Sequence, residues 1–190
     1  MRIITGTARG TRLETLPGED TTRPTPERVK EAVFSAIQFD LYEKRFLDLF
    51  AGSGQMGLEA LSRGAARAVL IDENSNAVQI IKANAKKTHL FEKCFISNVS
   101  YRDYLRGVRG REQFDFIYID PPFSENLWAD VLSRIARADI CHAGTLLICK
   151  ANREICSENE RMWLNFMRRL SKPGTAVWCP RFCVCKNSDL

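Results

Sequence analysis

The stretch "FLDLFAGSGQMGLEALSRGAARAVLID", residues 46 to 72, constrains the fold most, because a short apolar run, a glycine turn and a helix-period segment follow without a break. "FLDLF" reads as a buried strand, "GSGQMGLEALSRG" as a glycine loop opening a helix that ends at Gly64, and "RAVLID" as a second strand. The rhythm continues downstream. "NSNAVQIIKANAKK" predicts a helix capped by Asn74 or Ser75, "KCFIS" a third strand and "YRDYLRGV" another helix. "FDFIYI" is a fourth strand, "ENLWADVLSRIARA" a helix, and "GTLLICK" a fifth strand after a turn at Gly144. Strands separated by helical crossovers run parallel, so a mostly parallel sheet covered by helices on both faces is expected. Its strand C-terminal ends and their loops then share one edge.

The flanks are less regular. Residues 2 to 5 and 12 to 16 are short extended segments around "TGTARG", which predicts a β-hairpin. In "TTRPTPERVKEAVFSAI", Thr25 suits an N-cap, Pro26 the first helical position and Glu27 the positive helix end. Val29, Ala32, Val33, Ala36 and Ile37 follow at helical spacing as one buried stripe. Beyond residue 152, "EICSENERMWLNFMRRL" suits a helix, although "MWLNF" also reads as a strand, and "GTAVWCP" and "RFCVCK" look extended. A length of 190 residues suits one compact domain with a small appendage. The division expected is a basic hairpin extension at 1–24 and an α/β domain at 25–190. No apolar run approaches bilayer-spanning length and no hydrophobic leader opens the chain, so a cytoplasmic protein without a membrane partner is expected.

Charge and cysteine usage narrow the chemistry. The formal charge of +5 is uneven, with Arg2, Arg9, Arg12, Arg23, Arg28 and Lys30 gathered at the front. That front suits a polyanion, although a solvated basic surface has the same composition. The seven cysteines are odd in number and lack a secretory context, which favours reduced thiols. Cys179, Cys183 and Cys185 crowd into "CPRFCVCK", yet only His89 and His142 are there to complete a ligand set. Period-two spacing of Cys183 and Cys185 fits one strand face, and no metal is expected.

Two motifs carry the chemistry. Gly52-x-Gly54-x-x-Gly57 follows the first strand, and Asp72 closes the second. Glycines let backbone approach a ligand, and a carboxylate at that strand tip can bind ribose hydroxyls, whether of a dinucleotide or of S-adenosylmethionine. Asp48, just before the glycines, suits a cationic amine and would repel a pyrophosphate. Asp120-Pro121-Pro122-Phe123 ends the fourth strand, which in a doubly wound sheet should flank the glycine loop. Proline stiffens that edge, leaving a carboxylate, a backbone carbonyl and an aromatic face. An exocyclic nucleobase amine needs such a set, because acceptors on its N–H groups localise its lone pair for in-line methyl transfer, while stacking holds the base.

These stretches, with "RIITGTARGTRL" and "TTRPTPERVKEAVFSAI", resemble the RsmD family of 16S ribosomal RNA guanine-N2 methyltransferases from residue 2 to roughly residue 150. The resemblance implies a Rossmann-like class I S-adenosylmethionine-dependent methyltransferase, with a mostly parallel seven-stranded sheet, helices on both faces and an N-terminal β-hairpin. It implies that Asp48, Gly52, Ser53 and Gly54 line the S-adenosylmethionine pocket, with Asp72 on the ribose. It makes Asp120, Pro121, Pro122 and Phe123 the catalytic edge and sets Arg9, Arg12, Arg23, Thr25 and Arg28 near the RNA. Where such enzymes often carry an acidic residue near adenine, this chain has Asn98, whose carbonyl can accept from the adenine amino group. The ending "CPRFCVCKNSDL" departs from the family's usual last strand. The expected partner is 16S ribosomal RNA within a small-subunit particle, and the expected state a monomer. Other readings are an amino-methyltransferase acting on DNA adenine or protein glutamine, a nicotinamide oxidoreductase, and a non-catalytic RNA-binding assembly factor.

Overall fold

The computed structural model describes residues 1–16, 27–122, 127–150, 176–179 and 182–186. The chain forms two compact units, Met1–Ser100 and Tyr101–Leu190. The first contains α1 (Glu27–Ile37), β1 (Arg45–Asp48), α2 (Gln55–Ser62), β2 (Arg67–Asp72), α3 (Ser75–Lys87) and β3 (Cys94–Asn98). Its strands lie in the order β3-β2-β1. Both pairings are parallel, with Asp48 abreast of Leu70 and Asp72 abreast of Asn98. Phe46, Leu47, Val69, Leu70 and Ile71 supply the sheet's core, and Leu58, Ile81, Val33 and Phe34 pack from the helices. Asn74 caps α3, its side chain accepting the Asn76 N–H, as its residue type predicts.

Every residue of α2 is buried, including Gln55, Glu59 and Ser62. A helix with polar groups on a covered face must find partners for them, and residues 1–16 provide these. Glu59 accepts the N–H groups of Ile4 and Thr5 at 2.8 and 3.0 Å. Ser62 accepts the Ala8 N–H at its hydroxyl and the Thr7 N–H at its carbonyl, and donates its own O–H to the Thr5 carbonyl. Gly6 approaches so closely that a Cβ there would lie 1.8 Å from the Ser62 carbonyl oxygen, at a backbone φ of +89°.

This arrangement refines one expectation and corrects another. The front does turn back on itself, though as a minimal antiparallel pairing short of two full strands: Arg2 and Arg12 form a bridge, the Ile3 N–H donates to the Thr11 carbonyl and the Leu13 N–H to the Met1 carbonyl, each at 3.0 Å. The N–H groups of Ile4, Thr5, Thr7 and Ala8 go to Glu59 and Ser62. The buried stripe of α1 is also rotated from the one expected. It is Lys30, Val33, Phe34 and Ile37, whereas Ala32 and Ala36 are exposed. Lys30 is drawn inward by Glu59, 3.3 Å away, and by the Arg2 carbonyl, which accepts from its ammonium. The cap expected at Thr25 lies outside the described residues.

The second unit contains α4 (Tyr101–Gly107), β4 (Phe114–Ile119), α5 (Trp128–Ala138), β5 (Cys141–Cys149), β6 (Ala176–Cys179) and β7 (Phe182–Lys186). Its strand order is β4-β5-β6-β7, with β7 antiparallel to β6 and the other pairs parallel. Asp130 of α5 ties the helices together, accepting from Tyr101 at 2.7 Å, Arg102 at 2.8 Å and Arg134 at 2.8 Å. Strand β5 starts before Gly144 rather than after it. The register jumps from Phe114 opposite Cys141 to Phe116 opposite Leu146. Thr145 secures the irregularity, its buried hydroxyl accepting the His142 N–H and donating to the Phe114 carbonyl. The segment 151–175, where a helix or strand was expected, lies outside the described residues. No described helix is long and apolar enough to cross a membrane.

Replacing Glu59 with alanine leaves Lys30 buried without its carboxylate and orphans two backbone donors. The expected loss is about 3–5 kcal/mol of stability, read as a lowered urea midpoint at unchanged slope. An unaltered midpoint would show that the front segment docks without Glu59.

Candidate functional site

β1 ends at Asp48, whose carboxylate lies within 3.4 Å of the Phe50 N–H and whose side chain is buried. The chain then bends, the Ala51 N–H meets the Ile71 carbonyl at 2.9 Å, and the glycines follow. Gly52 donates its N–H to Asp72 Oδ2 at 2.8 Å, so the carboxylate closing β2 holds the loop after β1. The other oxygen, Oδ1, accepts the Asn74 N–H at 2.9 Å. Burial pushes the Asp72 carboxyl above the usual carboxylate range, and its two backbone hydrogen bonds oppose that shift.

Gly54 begins α2 in the left-handed conformation at φ +78°, where an added Cβ would press Ile81 at 3.1 Å. At Gly57 a Cβ would meet Leu70 Cδ2 at 2.2 Å, so this third glycine lets the helix close on the sheet. Ser53, between the first two, is buried, and its carbonyl accepts from Asn84 Nδ2 at 2.9 Å. Its hydroxyl faces Met1 Sδ at 3.4 Å. Next to Gly54, Gln55 Oε1 is buried with no hydrogen-bond partner among the described residues. It is an acceptor left over beside the loop.

Asn98, at the end of β3, donates Nδ2 to the Asp72 and Glu73 carbonyls at 3.1 and 2.9 Å. Those contacts use the donor half of the amide and leave its carbonyl as the half able to accept. The first unit therefore brings Asp48, Gly52, Ser53, Gly54, Asp72 and Asn98 to the C-terminal ends of three adjacent parallel strands.

In the second unit Asp120 follows β4. Its Oδ2 accepts from Lys150 Nζ at 2.8 Å, and both side chains are mostly buried. Lys150 was not singled out from the sequence, although a signal existed. Ile119 and Cys149 are register partners on parallel strands, so the residues following them stand abreast. The Lys150 N–H also donates to the Ile119 carbonyl at 3.0 Å. Pro121 is buried and Pro122 exposed, while Phe123 lies outside the described residues.

Arg9, Arg12 and Arg28 are exposed, the first two on the front segment and the third on α1. An Arg2–Glu27 ion pair of 3.4 Å connects those two pieces of chain. Arg23 and Thr25 lie outside the described residues. Among the described residues no group of three or more His, Cys, Asp or Glu side chains is placed to hold a metal ion.

Parallel strands, a glycine turn opening a helix and a carboxylate closing the next strand define a Rossmann-like α/β protein of the methyltransferase class. The chain belongs to the family described as Conserved hypothetical protein 95, whose model it matches over residues 1–178. It is 31% identical over 155 residues to Ribosomal RNA small subunit methyltransferase D of Haemophilus influenzae, covering 81% of this chain and 80% of that one. To the Escherichia coli protein of the same name it is 35% identical over 134 residues, covering 70% and 65%. Among solved structures, a hypothetical protein of Thermus thermophilus superimposes with a TM-score of 0.69 at 32% identity, covering 77% of this chain and 83% of that one. The family resemblance read from the sequence therefore holds.

Asp72→Asn replaces an acceptor facing the Gly52 N–H with an amide that can turn a donor toward it. Binding of S-adenosylhomocysteine is expected to weaken about tenfold or more while the fold persists. Calorimetric titration checks this, and wild-type affinity in the variant would remove Asp72 from the pocket.

Proposed function

We propose that this chain is an S-adenosylmethionine-dependent methyltransferase of ribosomal RNA, acting on the exocyclic N2 amine of a guanine in the 16S molecule. The observation that carries the reading is the Asp120 carboxylate at the end of β4, ion-paired with Lys150 and followed by two prolines. It stands in a chain whose relatives include proteins named Ribosomal RNA small subunit methyltransferase D.

The first unit is assigned the cofactor. One observation fits a polar ligand there: Gln55 Oε1, beside the glycine loop, is an unpaired buried acceptor among the described residues. Asp48 takes the cationic amino group, Gly52, Ser53 and Gly54 line the loop, Asp72 accepts from the ribose, and Asn98 offers its carbonyl to adenine. When bound, S-adenosylmethionine supplies an electrophilic methyl group.

The second unit is assigned the substrate amine. The Asp120 carboxylate and a proline backbone carbonyl accept its two N–H groups, which draws the nitrogen lone pair out of conjugation with the ring. Pro121 and Pro122 fix where those acceptors stand, and Phe123 stacks on the base. The proton leaves to solvent after transfer. Arg9, Arg12, Arg23 and Arg28, with Thr25, engage the RNA backbone, a sequence-independent grip suited to exposed guanidinium groups. The residues 1–24 serve as the RNA-gripping extension of a methyltransferase domain at 25–190, and the protein acts in the cytoplasm as a monomer on a small-subunit particle.

Mass mapping of N2-methylguanosine in 16S RNA, from cells with and without the gene, tests the assignment. One guanine should lose its methyl group in the deletion strain; an unchanged map sinks the substrate. Asp120→Ala should lower methyl transfer by on the order of 10²–10³ and leave S-adenosylhomocysteine binding nearly intact. Tritium entering RNA at the wild-type rate would overturn the role of Asp120. Alanine at Arg9 or Arg12 should weaken RNA binding and reduce the slope of log affinity against log salt by about 0.7–0.9 each. A constant slope would return these arginines to a merely solvated surface.

A further inference from the structure

Asn84 sits in α3 with no solvent exposure, and its side-chain amide makes three long-range hydrogen bonds. Oδ1 accepts the Glu14 N–H at 2.8 Å, and Nδ2 donates to the Glu14 carbonyl at 3.0 Å. The amide thereby imitates a neighbouring strand, taking both main-chain groups of one residue. The second Nδ2 hydrogen reaches the Ser53 carbonyl at 2.9 Å, between the two left-handed glycines of the loop.

A buried asparagine needs only enough partners to offset its desolvation, and local carbonyls of its own helix would do. Here the partners lie 31 and 70 residues away in sequence. One is the glycine loop and the other is the end of the segment carrying Arg9 and Arg12. The same two pieces of chain meet again where the Ser53 hydroxyl faces Met1 Sδ. Gly52 and Gly54, which flank Ser53, have no side chains to brace that carbonyl, so the Asn84 amide is a direct restraint on the loop's shape.

We propose that Asn84 is a positioning residue that couples the glycine loop to the arginine-bearing front segment, so that cofactor affinity and RNA affinity rise together. The proposal rests on the function proposed above and adds a regulation of that same site. A ligand that fixes the Ser53 carbonyl also fixes Asn84, and through it both main-chain groups of Glu14. RNA held by Arg9 and Arg12 restrains the same segment a few residues upstream of Glu14. Linkage then requires each ligand to tighten the other by one common factor.

Equilibrium dialysis of radiolabelled S-adenosylhomocysteine against the full-length protein, with and without unmethylated small-subunit particles, measures that factor. The wild type should bind the nucleoside about fivefold tighter, or more, when particles are present. Asn84→Asp, which removes both donors, should bring the ratio to about one and weaken binding without particles about five- to tenfold. Glu14→Pro provides a second variant at an exposed position, deleting the N–H that Asn84 accepts while leaving Asn84 itself in place; it should also lower the ratio. A wild-type ratio of one, or folded variants that keep the wild-type ratio, overturns the coupling while leaving the methyltransferase assignment intact. Failure of the wild type to bind the nucleoside at all overturns both.

Discussion

Glu59 carries a negative charge into the interior of the first unit, where water cannot screen it, and donors from three separate stretches of chain converge on its two oxygens. Ile4 and Thr5 bring main-chain N–H groups, Lys30 its ammonium at 3.3 Å, and Arg63 its guanidinium at 2.8 Å. Burial lowers the Lys30 pKa, and the attraction of Glu59 opposes that shift. Such a pair adds little stability over an apolar pair of the same volume, but it has a narrow geometry. The placement of the front segment and α1 seen here satisfies both carboxylate oxygens. Arg63 also lies over the Phe34 ring at 5.0 Å, and Phe34 stacks on Phe46 of β1. The charge cluster is thereby joined to the sheet's apolar core.

From that anchor the geometry of the glycine loop follows in steps. Fixing α2 fixes Gly54 and Gly57 against Ile81 and Leu70, which sets how near the loop lies to β2. At that separation Asp72 reaches the Gly52 N–H, and the loop is closed from its second side. Asn84 closes it from a third, through the Ser53 carbonyl. A loop restrained from three directions has less ordering left to undergo when a ligand binds, which reduces the entropic cost of association. The leftover acceptor at Gln55 is compatible with a pocket whose polar groups are arranged for a guest rather than for the protein itself.

The parallel elements were legible because their signals are local. β2 and β4 fall on "RAVLID" and "FDFIYI" as read, and Asn74 caps α3 by the chemistry of its side chain. What the sequence hid was non-local. Nothing near residue 4 shows that its N–H will meet a glutamate 55 positions away, so the front was read as pairing only with itself. Lys30 was read as part of a basic front for the same reason, and the α1 stripe was placed one step around the helix. Asn84 sits in a helical pattern that marks it as a surface residue until Glu14 and Ser53 are brought to it. Lys150 was recoverable in principle, since aligning the ends of two neighbouring parallel strands sets it abreast of Asp120.

The three strand-end aspartates differ in a way that traces to the residue two positions on. An aspartate leaving a strand readily accepts the N–H of that residue, closing a small turn on its own side chain. Asp72 does so with Asn74 at 2.9 Å, and Asp48 approaches Phe50 at 3.4 Å. At Asp120 the corresponding residue is Pro122 and the intervening one is Pro121, and neither has an N–H to give. The local turn that would occupy the carboxylate is therefore chemically unavailable, and Oδ2 turns instead to the ammonium of Lys150. A carboxylate held by a neighbouring strand, rather than by its own turn, takes its orientation from outside its own loop. The position of the carboxylate is then set by β5 as well as by β4. The two prolines thus do more than end a strand, since they withhold the donors that would let Asp120 close a turn on itself.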